Sequence, residues 1–167
     1  VLYLSNSNAD TYAGGDNTNG CPIDQDFNPR IAVLWDDYEA NDDYILCGGP
    51  EFFINSVVGW GTYGPSGGRV FILSWLDNTL ASCGSSGATF TVKLNEGLNT
   101  VEFHYQDTSF GSSSCDDGAS ATVGIADALL SSSSKLTVSC NSSGGVSTGT
   151  AIRFDPPVTG CPDADSD

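Results

Sequence analysis

Between Trp35 and Tyr44 the sequence sets Asp36, Asp37, Glu39, Asp42 and Asp43 into one short segment, "WDDYEANDDY", with the apolar runs "IAVL" before it and "ILC" after it. A turn between two strands at this point, with Asn41 contributing, can aim several carboxylate and amide oxygens at one centre. That is the ligand chemistry of calcium. Left without a cation, the same carboxylates repel at every close pair. The spacing is not that of an EF-hand loop, which needs D-x-D-x-D-G and a distant glutamate, and a hydrated acidic loop that keeps the chain soluble is the alternative. A second acidic set closes the sequence, where "GCPDADSD" places Asp163, Asp165 and Asp167 at alternating positions.

Other chemistry-bearing residues are few. His104 is the one histidine, so a histidine-based zinc site cannot be assembled. The chain has no nucleophile flanked by a base and no glycine-rich loop feeding a helix. The expectation is a protein that is not an enzyme. Two aromatic residues, Trp60 and Tyr63 in "GWGTYGPSGG", are placed to stack on a sugar, whereas Trp35 and Trp75 end apolar strands and read as core. Asn141-Ser142-Ser143 is an N-glycosylation sequon, with a plain polar turn as its alternative.

Composition narrows the partners. Twenty-one acidic residues face only five Lys and Arg, a formal net charge of −16 in 167 residues. Nucleic acid is therefore excluded as a default partner, since phosphate binding needs basic patches, and no apolar run is long enough to insert in a membrane. The opening "VLYLSNSNADTY" is too short for a signal peptide and lacks its basic start, so the expectation is that any secretion signal has been removed. Six cysteines, Cys21, Cys47, Cys83, Cys115, Cys140 and Cys161, show no Cys-x-x-Cys spacing. They read as disulfides, and so as an extracellular or cell-surface location.

The elements that must position these residues are strands. Short apolar runs are punctuated by twenty glycines, and no apolar i, i+3, i+4 pattern persists, so the class is all-β. Ten candidate strands in one chain imply a two-sheet antiparallel β-sandwich, jelly-roll-like and disulfide-stapled. The clearest signal is "ATFTVKLNEGLNTVEFHYQD": Phe90, Val92 and Leu94, then Val101, Phe103 and Tyr105, alternate with polar residues around an "NEG" turn. This hairpin places His104 on its wet face, among neighbours that cannot activate it. The meander it belongs to brings Cys83 and Cys115 to one end, which predicts that pair. Nearness in sequence suggests Cys21 with Cys47 and Cys140 with Cys161. We divide the chain into residues 1–20 (N-terminal strand and loop), 21–160 (sandwich) and 161–167 (acidic tail). The first strand, Val1, Leu2, Tyr3 and Leu4, carries no charge to guard an edge, so it either pairs within its own domain or completes the sheet of an identical neighbouring subunit.

The runs "RIAVLWDDYE", "RVFILSWLD", "FTVKLNEGLNTVEFHYQD" and "ATVGIAD", in this order, resemble bacterial secreted jelly-roll or NIDO-like domains over Arg30 to Asp127. The acidic tail resembles the opening of a thrombospondin type 3-like calcium repeat. The resemblance implies a binding or scaffolding role in surface and secreted proteins and carries over no catalytic residue. The expected function is an extracellular structural subunit that polymerises into a cell-surface fibre by strand complementation, with calcium on its acidic loops. A carbohydrate-binding or adhesive module is the alternative.

Overall fold

The computed structural model describes residues 2–3, 21, 23, 30–36, 38–39, 57–80, 83–126 and 135–156. Ten strands follow one another: β1 (Leu2–Tyr3), β2 (Arg30–Trp35), β3 (Tyr38–Glu39), β4 (Val57–Tyr63), β5 (Val70–Leu80), β6 (Ala88–Asn95), β7 (Thr100–Asp107), β8 (Thr122–Ala126), β9 (Lys135–Cys140) and β10 (Thr150–Phe154). They form two antiparallel sheets. The smaller has the order β1-β2-β8-β9. In the larger the order is β10-β7-β6-β5, and β3 and β4 lie end to end along the free side of β5. The expected all-β sandwich is the observed one.

Alternation builds the larger sheet. Phe90 and Val92 on β6 sit opposite Tyr105 and Phe103 on β7, all four buried, while Lys93, Glu102 and His104 take the other face. Across β5, Trp75 stacks on Phe90 with ring centroids 5.0 Å apart, and Phe103 meets Phe154 of β10 edge-on at 4.9 Å. These aromatic pairs give the core its rigid centre. At the hairpin turn Asn99 adopts φ 52°, a conformation that asparagine tolerates better than most side chains. The turn needs Gly97, because a Cβ there would stand 2.6 Å from the Gly67 carbonyl oxygen.

The smaller sheet is held to the larger through β2. All six of its residues are buried, which is the reason "RIAVLW" reads as an unbroken apolar run after its arginine. Ile31, Val33 and Leu34 belong to the main core, whereas Ala32 and Trp35 join Ile23 and Ala126 in a second cluster. The Arg30 guanidinium lies 5.0 Å from the Trp35 ring centre, a cation–π contact. A bulge between Ala32 and Trp35 takes Val33 and Leu34 out of register with β8. There the buried Tyr105 hydroxyl donates to the Val33 carbonyl at 2.6 Å, joining one sheet to the other.

Two loops fix which edges share a side. Residues 141–149 cross directly from β9 of the small sheet to β10 of the large one, and β2 passes into β3, on the side of β5 away from β6. The β9 and β10 edges therefore flank one side of the sandwich, and β1 and β4 flank the other.

Two expectations need correction. Cys21 pairs with Cys140, Cα atoms 5.5 Å apart, and not with Cys47; Cys140 is thereby unavailable to Cys161. The cause is the packing of Ile23 on the outer side of β2 and the bond from its N–H to Thr137 Oγ1 on β9 at 2.9 Å, which brings Cys21 alongside the end of that strand. Cys83 pairs with Cys115, as the meander predicts. In addition, the acidic segment is not a plain turn between two strands: Tyr38 and Glu39 form β3 on β5. The Tyr38 ring drives this, lying 5.5 Å from Phe90 and 6.2 Å from Phe110. Val1, Leu4, Cys47, Cys161 and the strand expected at Tyr44 to Leu46 lie outside the described residues.

Candidate functional site

β4 carries the exposed aromatics, and its register with β5 is continuous from Val57↔Leu76 to Tyr63↔Val70. Residues an odd number apart on a regular strand point to opposite faces. Trp60 and Tyr63 therefore do not share a platform. Trp60 stands opposite Leu73 and lies 6.3 Å from the Phe71 ring, on the face that the small sheet covers farther along. Tyr63 lies on the outer face, its ring folded over Gly61, where a Cβ would meet it at 3.0 Å.

Among the described residues nothing covers the inner face at β4. Trp60 is 77% exposed and Val58, two residues before it on the same face, 55%. Beside them Thr62 and Phe71 border a cleft of about 540 Å³, with Ile31, Leu94 and Val101 on its apolar walls and Arg69, Glu96 and Asn99 at its polar rim. Its charged groups are engaged with each other. Arg69 Nε donates to Glu96 Oε2 at 2.9 Å and its Nη2 to Oε1 at 2.6 Å, while the Gly67 and Arg69 amides also donate to Oε2. The Arg69 side-chain bonds, followed by the backbone bonds, hold the Glu96 carboxyl down to about 2. Four donors on one carboxylate latch the 64–69 loop to the β6–β7 turn.

The wet face of the large sheet is a polar ladder. Ser74 and Thr91 hydroxyls bond at 2.8 Å, Asn95 donates to Thr100 and Glu102, and His104 Nε2 lies 3.0 Å from Glu102 Oε2. His104 lies on the wet face as its parity predicts, and Glu102, two residues earlier on the same strand, shares that face. A histidine beside a carboxylate can move a proton, yet Glu102 is its hydrogen-bond partner here and no nucleophile joins them.

Of the acidic set, Asp36 is half-buried and accepts the Ser120 hydroxyl at 2.5 Å. Burial first, and then the Asp36 charge, push the Tyr38 hydroxyl well above its ordinary range. Glu39 pairs with Thr79 in the β3–β5 ladder. Asp37, Asp42, Asp43, Asp163, Asp165 and Asp167 lie outside the described residues, and among the described residues no three acids, histidines or cysteines cluster to hold a metal. Asn141 is exposed in the turn leaving β9, at φ 45°. Leu2 and Tyr3 pair with Ile31 and Arg30 of their own chain.

β9 also exposes apolar side chains, although it opens on Lys135 and is bulged at Val138 opposite β8. Leu136 is 53% exposed and Val138 43%, on the far side of the sandwich. β4, and β9 after its first residue Lys135, fall in uncharged stretches, residues 52–68 and 136–152, which include no Asp, Glu, Lys or Arg. That signal was readable in the sequence and was missed.

A sheet-edge surface and two disulfides among the described residues describe a β-sandwich module, and the disulfides suit an extracellular domain. Over residues 1–160 the chain matches the NIDO-related family, and it belongs to that family. The match is wider than the Arg30 to Asp127 stretch and takes in the N-terminal strand. No curated protein and no solved structure matches the chain. The family is a β-sandwich domain family and not an enzyme family. Among the described residues no helix is long and apolar enough to cross a membrane.

Proposed function

We propose that this chain is a non-catalytic extracellular structural subunit that joins copies of itself at an open sheet edge into a cell-surface fibre. The observation that carries the reading is β4, an edge strand among the described residues, seven residues long without charge, proline or bulge, which bears Trp60 at 77% exposure. Soluble monomers guard such an edge with lysine, proline or a bulge. Of the two courses open to the N-terminal strand, its pairing with β2 favours the one within its own domain, and the joining edge of this proposal is β4. Calcium on the acidic loops belongs to the same proposal, supported by the net charge of −16.

The test is sedimentation of the native protein in millimolar calcium and after chelation, with electron microscopy of the pellet. Long particles support the fibre, and their loss on chelation supports calcium. A monomer under both conditions overturns the reading. Glycan binding is the second reading, favoured by the 65% exposed Tyr63 ring beside the polar ladder. Tyr63→Ala abolishes glycan retention in that case and leaves particle size unchanged.

A further inference from the structure

We propose that successive copies meet head to tail, the β4 edge of one copy seated against the β9 edge of the next. This rests on the fibre reading and names the surfaces that make it.

Charge selects the edges. A chain with twenty-one acids and five basic residues repels its copies wherever acids face each other, so close approach is confined to neutral surface. The uncharged stretches 52–68 and 136–152 contain β4 and all of β9 after Lys135. Exposed apolar side chains are found on those same strands, Val58 and Trp60 on one and Leu136 and Val138 on the other. β4 pairs with β5 alone and β9 with β8 alone, so among the described residues each strand has a second edge without a pairing strand.

Position selects the mode. β4 flanks one side of the sandwich and β9 the other, and they belong to different sheets. A contact between two unlike surfaces on opposite sides is heterologous, and repeating it gives an open filament, whereas β4 against β4 closes as a dimer. The uncovered inner face around Trp60 receives the Leu136 and Val138 side chains of the neighbour.

The test uses the full chain with Trp60→Lys and, separately, Leu136→Lys. Both positions are exposed, so the melting temperature and far-ultraviolet circular dichroism are expected to match wild type; should either variant misfold, Trp60→Thr and Leu136→Thr, which suit a strand, replace them. Each variant alone loses the sedimenting polymer. Mixed in equal amounts they form a heterodimer and stop, because each retains one competent edge. Polymer from either variant at the wild-type level removes its edge from the contact and overturns the proposal while leaving the fibre reading intact. Homodimers of Leu136→Lys overturn it in favour of β4 against β4. A monomeric wild type overturns the fibre reading itself.

Discussion

Removing Cys21 and Cys140 together, as Cys21→Ser with Cys140→Ser, is the change with the largest expected effect on stability. The bridge closes a loop of 119 residues. Loop-closure entropy gives roughly 5 kcal/mol for that length, against roughly 3.5 kcal/mol for a bridge from Cys21 to Cys47. A chain of this size shifts its melting temperature by about 2–4 °C per kcal/mol, so the double variant should melt about 10–20 °C lower by calorimetry. The loss also has a local sign. Ile23, no longer held beside β9, uncovers Trp35, which is only 8% exposed in the intact chain. Its fluorescence should shift to the red at temperatures well below the melt. Two results would refute the reasoning: a melting temperature within about 2 °C of wild type, or a Cys21–Cys47 peptide in the unreduced digest.

Tyr105→Phe leaves the buried Val33 carbonyl without its donor and should cost about 1–3 kcal/mol in urea unfolding, while Tyr63→Phe, at an exposed hydroxyl, changes nothing measurable. An equal effect of the two would refute the role of the inter-sheet bond. Because Glu96 is held at about 2, below the ordinary 4.5, the latch it forms is complete above pH 4.5 and fails as the pH falls toward 2. The protection of the Gly67 and Arg69 amides, their exchange rates taken relative to the intrinsic rate at each pH, should fall over that window, and Glu96→Gln should remove that fall; protection that stays constant across the window in the wild type would count against the latch. If the acidic segment holds calcium, millimolar calcium raises the melting temperature and chelation reverses it, whereas sodium at equal ionic strength does not. Equal effects of the two ions would reduce calcium to screening.

Period-two alternation made the hairpin legible almost to the residue. The alternation of Phe90, Val92 and Leu94 and of Val101, Phe103 and Tyr105 falls on the observed strands Ala88–Asn95 and Thr100–Asp107, because one face of each is apolar and only one register buries it. β3 was not legible. Two residues amid five acids look like a loop, and what makes them a strand is the Tyr38 ring between Phe90 and Phe110, a contact across more than fifty residues. The Cys21–Cys140 bridge was hidden for the same reason, since sequence nearness says nothing about where Ile23 packs. Trp60 was rightly read as exposed. Its pairing with Tyr63 was a parity error that the strand period already excluded. The polar neighbour of His104 could also have been read from parity, because Glu102 is two residues away on the same strand.

The order of the strands bears on how the chain is made. From β4 to β7 each strand pairs with the one before it, so this meander can assemble as soon as residues 57–107 have emerged. The small sheet must wait, because the main partner of β2 is β8 and the cysteine that fastens its outer cover is at position 140. Contacts so distant in sequence form slowly. During that interval Phe90, Val92 and Phe103 form a broad apolar surface with nothing across from it, the kind of species that aggregates. The Cys83–Cys115 bridge, with a span of 32 residues, can close within the half-made chain, but the Cys21–Cys140 bridge cannot. A cell that produces this protein therefore faces its greatest risk of misassembly between the two oxidations, and a folding catalyst or chaperone would have most effect at that stage.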